Sequence, residues 1–210
     1  MIERGIYGGT FAPIHLGHIR AANAFYDEVG LDELFVIPTF LPPHKAAGKN
    51  DNPQDRLAMA RLSFDDNPRR IHVSDYEIGC GGTSYTYKTL QHFSAPGVRL
   101  TFLCGTDMFL TLDSWREPSV IFSLARIAHA KRAELPPEVE AQVAERTAYF
   151  RKTYGAEILH LIQPPCELSS TEIRDRCRLG LDISALVTPQ VHDYIAAHRL
   201  YGNPAAGGLS

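Results

Sequence analysis

Two histidines stand three residues apart in the run Gly8-Gly9-Thr10-Phe11-Ala12-Pro13-Ile14-His15-Leu16-Gly17-His18. The glycines let the backbone turn tightly and approach a ligand with no Cβ in the way. A helical pattern opens near Leu16, so His15 and His18 fall on one side of its first turn. There they join the unsatisfied N–H groups and positive dipole end that make a helix start an anion site. Imidazoles donate hydrogen bonds to phosphate oxygens and become cationic near neutral pH. Such a set suits phosphoryl or nucleotidyl transfer, where donors must face charge as it redistributes. Zinc would need a third ligand, and the segment has neither that nor an H-E-x-x-H arrangement, so no metal ligand is assigned.

A second polar segment, Leu168-Ser169-Ser170-Thr171-Glu172-Ile173-Arg174, lies near the other end of the chain. Ser or Thr ahead of a helical run is an N-cap signal, and Arg174 would project from the first turn. A third follows an apolar run, Cys104-Gly105-Thr106-Asp107. Gly105 favours close backbone approach. An acid at a strand end can accept from ribose hydroxyls, but Asp107 taken alone reads better as the N-cap of the next helix.

These segments must be held by a scaffold. Strand-like runs occur at Gly5–Tyr7, Leu34–Pro38, Ile71–Val73, Val98–Cys104, Ala125–Ala130 and Glu157–Leu161. Helical patterns alternate with them at Leu16–Val29, Pro53–Phe64, Ser84–Phe93, Glu138–Tyr154, Thr171–Arg178 and from Pro189 to about Arg199. Alternation of this kind predicts an α/β fold, a Rossmann-like open parallel sheet with helices on both faces and a C-terminal helical segment. Such sheets bind ligands beyond the carboxyl ends of their strands, where the Gly8 and Gly105 segments fall. One domain is expected over residues 1–202, with a flexible tail at 203–210.

The net charge of −3 and pI near 6.3 argue against a general nucleic-acid binder. No run approaches the ~20 apolar residues of a membrane helix, and the N-terminus lacks a signal-peptide layout. Cys80, Cys104, Cys166 and Cys177 form no C-x-x-C pair, which fits reduced thiols in a cytoplasmic protein. Homo-oligomerisation is left open.

The Gly8–His18 run resembles the H-x-G-H signature of a nucleotidyltransferase superfamily, and Ser169–Arg174 resembles its S-S/T-x-x-R signature, about 150 residues later and in the same order. The resemblance implies His15 and His18 as catalytic, stabilising the transition state at the α-phosphorus. It implies Gly8, Gly9, Thr10 and Phe11 against ATP, with Ser170, Thr171 and Arg174 on its β- and γ-phosphates. Members commonly carry Asp where this chain has Ala12. The histidine motif alone is shared by other adenylyl- and cytidylyltransferases, and a module that binds ATP without turning it over would also carry both signatures.

Five further stretches resemble the nicotinate-nucleotide adenylyltransferases. They are Ile37–Lys45, Gln54–Met59, Thr83–Leu90, Gly105–Asp107 and Ser114–Arg116. That likeness implies Gly105 and Asp107 toward ATP, and Lys45, Arg56, Thr86, Trp115 and Arg116 toward nicotinate mononucleotide. Trp115, the single tryptophan, offers the flat π surface that a pyridine ring needs, core packing being its ordinary alternative. Lys45 and Arg56 would neutralise the acceptor phosphate, although solvated charge is the default for both. Members often have Tyr where Arg116 stands, and a guanidinium there would favour nicotinate over nicotinamide. Lys131 and Arg132 sit where the family often carries a basic residue. Mg2+ is expected on the ATP phosphates, held by phosphate oxygens and water.

Overall fold

The computed structural model describes residues 1–42, 52–131, 135–161 and 168–202. Six parallel strands form one sheet: β1 (Ile2–Gly9), β2 (Glu33–Pro38), β3 (Ile71–Val73), β4 (Val98–Gly105), β5 (Ala125–Ala130) and β6 (Ile158–His160). Their order is β3-β2-β1-β4-β5-β6. From β1 the chain winds outward through β2 and β3, then returns to lay β4 on the other side of β1. At that reversal the connections leave in opposite directions and open a crevice at the carboxyl ends of β1 and β4. Gly8, Gly9 and Gly105 end those two strands.

The α-helices among the described residues are α1 (Leu16–Val29), α2 (Pro53–Phe64), α3 (Tyr76–Cys80), α4 (Thr86–Phe93), α5 (Thr106–Thr111), α6 (Pro118–Leu124), α7 (Pro137–Tyr154), α8 (Ser170–Arg178) and α9 (Pro189–Ala197). Each face of the sheet carries its own apolar core. One gathers Phe25, Leu34, Met59, Ile173 and Ile195, and the other gathers Phe102, Phe109, Leu112, Ile127 and Phe150. The C-terminal helices close the first face. Tyr194 on α9 donates to Asp55 on α2 (2.9 Å), and the Leu16 N–H reaches the Leu186 carbonyl (2.9 Å).

The expected open parallel sheet is present, with β1 extended at both ends. Three helices were not expected: α3, α5 and α6 have five to seven residues. Fewer than two turns show no amphipathic period to read. The N-cap alternative for Asp107 is corrected by α5. The residue lies exposed in the helix's first turn, while Gly105 takes the N-cap position. Lys45, Arg132, Cys166 and the 203–210 tail lie outside the described residues.

Candidate active site

The first motif folds as a loop between β1 and α1. His15 is the N-cap of α1, with extended backbone, and the helix begins at Leu16 as the sequence predicted. The His15 N–H donates to Nδ1 of His18 (3.3 Å), and the two rings stack with centroids 3.7 Å apart. Accepting at Nδ1 makes His18 carry its proton on Nε2, leaving that N–H as a donor. The ring of Phe11 lies edge-on to His18, centroids 5.0 Å apart. Phe11 holds a left-handed φ of 50°, a conformation that non-glycine residues keep where the surroundings over-determine it. Its ring covers Gly9 so closely that a Cβ there would sit 2.8 Å from it. Cβ atoms at Gly8 and Gly105 would meet nothing within 4 Å, so both strand ends stand open to the crevice.

Burial sets the charge of this pair. Desolvation lowers His15 to about 4, and desolvation plus the neighbouring His15 puts His18 well below its ordinary value. The expectation that these rings turn cationic near neutral pH is corrected for the free protein: both are neutral donors. Their pKa values lie below those of the unfolded chain, which therefore binds more protons from about 6.5 down to about 4. Stability is fully present above that window and is lost as pH falls through it. His129 and His160 are shifted the same way by burial, whereas buried Glu77 is shifted up and offsets part of the loss. The melting temperature should fall measurably between pH 7 and pH 5, and a flat profile there would contradict buried neutral histidines.

The second motif docks on the first. Ser169 caps α8, accepting from the Thr171 N–H (3.2 Å). Ser170 donates its hydroxyl to the Pro13 carbonyl (2.9 Å). Arg174 donates to the Ala12 carbonyl (2.7 Å) and to Thr171 Oγ1 (3.0 Å). Segments 157 and 162 residues apart are thus brought together through backbone carbonyls of the first motif. Ala12 contributes its backbone carbonyl to this contact, not its side chain, which is buried.

From Gly8, Gly9 and Thr10 a cavity of about 670 Å³ extends over the sheet. Thr86, Trp115 and Arg116, assigned from sequence to the acceptor, line it. Trp115 is half-buried, edge-on to Phe102, and Arg116 is exposed beside Glu117. Thr39, Glu77, Ser84, Tyr85, Thr89 and Met108 also line the cavity and were not singled out from sequence. Glu77 accepts from Thr89 Oγ1 (2.5 Å), while the hydroxyl of Thr39 is buried without a hydrogen-bond partner among the described residues. Buried polar atoms of that kind are expected to meet a ligand or water. The Thr83–Leu90 segment itself offered the signal for Ser84, Tyr85 and Thr89, whereas Glu77 reaches the cavity only through the short helix α3.

Arg56 departs from the sequence expectation. It is 1% exposed and does not line the cavity. Its guanidinium donates to the carbonyls of Thr10 (2.8 Å) and Phe40 (3.0 Å), beneath the site. It positions the loops after β1 and β2 from within, and is neither a solvated charge nor a wall of the acceptor pocket. Lys131 is paired with Glu140. Among the described residues no group of three or more His, Cys, Asp or Glu side chains is placed to hold a metal. None of the helices there is long and apolar enough to cross a membrane.

Comparison with known proteins agrees with this geometry. Residues 6–176 match the cytidylyltransferase-like family. A probable nicotinate-nucleotide adenylyltransferase of Clostridium acetobutylicum is 36% identical over 96% of this chain and 100% of the relative. One of Chromobacterium violaceum is 36% identical over 94% of this chain and 97% of the relative. In fold, the chain is similar to the Plasmodium falciparum nicotinic acid mononucleotide adenylyltransferase complexed with NaAD. That comparison has a TM-score of 0.74 at 18% identity and covers 97% of this chain and 99% of the other. With both signatures meeting at one crevice and relatives matched end to end, the chain belongs to the cytidylyltransferase-like family and, within it, to the nicotinate-nucleotide adenylyltransferases.

Proposed function

We propose that the protein transfers the adenylyl group of ATP to nicotinate mononucleotide, giving deamido-NAD and pyrophosphate. The observation that carries this reading is the docking of Ser170 and Arg174 onto the Ala12–Pro13 carbonyls beside a cavity holding Trp115. The triphosphate would lie along Gly8–His18 and the start of α8, and the pyridine ring would enter the cavity. The acceptor's phosphate, with a second pKa of ~6, is largely dianionic at neutral pH and attacks the α-phosphorus without a general base. The protein's part is to align two polyanions and offset their repulsion. Neutral His15 and His18 would donate to the oxygens around the α-phosphorus as charge builds there. Ser170, Thr171 and Arg174 would hold the departing pyrophosphate, and Gly105 and Asp107 would face the nucleoside. Magnesium would be carried by the ATP phosphates and water, offsetting charge on the triphosphate. The setting is a cytoplasmic one with ATP and the mononucleotide as partners.

A pyrophosphate-release assay over a panel of acceptors tests the reading. Turnover should be fastest with nicotinate mononucleotide. Turnover only with phosphopantetheine or with CTP-dependent acceptors would reassign the substrate, and ATP binding without release would make this a sensing module. Arg116, exposed at the cavity wall, would pair with the nicotinate carboxylate. Arg116→Ala should therefore lower the nicotinate-to-nicotinamide efficiency ratio by about 3- to 10-fold, the worth of one partly solvated charged hydrogen bond. Equal wild-type efficiency on both mononucleotides would remove Arg116 from that role.

A further inference from the structure

Beside the crevice, four polar side chains form a file across the sheet beneath α5 and α7. His129 on β5 and His160 on β6 are register partners, with Cys104 beside His129 on β4. Thr106, the first residue of α5, places Oγ1 3.1 Å from His129 Nε2. His129 Nδ1 lies 3.1 Å from His160 Nδ1. His160 Nε2 lies 3.5 Å from Oγ1 of Thr147 on α7, and that hydroxyl donates to the Val143 carbonyl (2.7 Å). Phe109 stacks on His129 with centroids 4.7 Å apart, and Thr106, His129 and Thr147 are buried.

The far end dictates where each proton sits. Thr147 uses its single O–H on Val143, so toward His160 it can only accept. His160 then carries its proton on Nε2 and accepts at Nδ1. His129 must donate from Nδ1, which leaves its Nε2 an acceptor for the Thr106 hydroxyl. With both rings neutral, every link in this order has one donor and one acceptor. Their surroundings keep them so: burial lowers both, aided by Lys131 near each and Arg151 near His160, and the Cys104 thiol stays protonated.

We propose that His129 and His160 are positioning residues, a hydrogen-bond relay of fixed proton order that holds Thr106, and with it Gly105 and Asp107, at the nucleotide crevice. Neither ring lines the cavity. They act through Thr106, which sits between the open strand end at Gly105 and the exposed Asp107. The kinetic half of the test rests on the adenylyl-transfer reading, whereas the proton order does not.

Nitrogen-15 NMR of the full chain labelled at histidine, at pH 7, reads the order directly. His129 should be the neutral Nδ1–H tautomer and His160 the neutral Nε2–H tautomer, and the reverse order or a charged ring overturns the relay. In steady-state assays, Thr106→Val should raise KM for ATP about 3- to 10-fold with kcat nearly unchanged, the scale of one buried hydrogen bond. Thr106→Ser should restore it. His160→Phe should raise KM in the same sense, and the double variant Thr106→Val with His160→Phe should be no worse than Thr106→Val alone. Additive losses, or an unchanged KM in Thr106→Val, overturn the proposal. A wild-type enzyme that releases no pyrophosphate would instead refute the adenylyl-transfer reading and leave the tautomers to decide the relay.

Discussion

Replacing His18 by Ala should lower kcat/KM by at least ~100-fold, the scale of a lost transition-state donor. His18 accepts the His15 N–H at Nδ1, which places its proton on Nε2, the donor that the proposed reaction would use. Its neutrality in the free protein follows from burial, so the ring contributes a directed dipole at the outset and needs no proton from solvent. The loss should therefore appear mainly in kcat, because the interaction strengthens as charge gathers on the α-phosphoryl oxygens. The same side chain also packs on Phe11 and His15, so Ala removes structure as well as chemistry. Asn separates the two. Its side-chain oxygen can accept the His15 N–H, while its amide stops short of where Nε2 stood. His18→Asn should melt close to the wild type, by circular dichroism, and still lose at least ~100-fold in kcat/KM. A stable variant with full activity would refute the role assigned to this ring.

Much of this site was legible in the sequence because its parts are local. Glycines at the end of β1, histidines at the start of α1 and a serine cap before α8 each declare themselves within a few residues. Their meeting is a matter of topology. Nothing in the spacing says that Arg174 reaches the Ala12 carbonyl, though the order of the two signatures implied that they share a ligand. The burial of Arg56 was not legible, because charge predicts exposure. Two backbone carbonyls, of Thr10 and Phe40, supply acceptors in the interior, and only the folded loops bring those together. For Asp107 the cap alternative fell one position off, since glycine at the strand end takes the cap and puts the acid in the first turn. His129 and His160 carry no sequence signal at all: each is one residue in a short apolar strand. Their pairing depends on β5 and β6 being neighbours, which is a property of the whole sheet order.

Arg174→Ala carries the second large expectation, a fall in kcat/KM for ATP of about 100-fold. Hydrogen bonds to a charged group contribute ~1.5–3 kcal/mol each, and a guanidinium holding β- and γ-phosphate oxygens would make two. The geometry leaves room for that. Arg174 donates to the Ala12 carbonyl and Thr171 Oγ1, and the guanidinium has five N–H donors in all. The same substitution strips the Ala12 carbonyl of its partner, so stability should fall too, by ~1–2 kcal/mol. Two companions divide the effects. Ser170→Ala removes the other staple, to Pro13, and would report the contribution of docking with the guanidinium retained. Arg174→Lys keeps a positive charge but loses the planar fork, and its three donors fall short of the four bonds to Ala12, Thr171 and the two phosphates. It should recover only part of the lost activity, with KM for ATP remaining high. Full recovery by Lys would mean that charge alone suffices and that the docking of α8 on the first motif is structural. Partial recovery would mean that one side chain both closes the fold over the first motif and grips the leaving group, which makes the order of the two signatures a mechanical requirement.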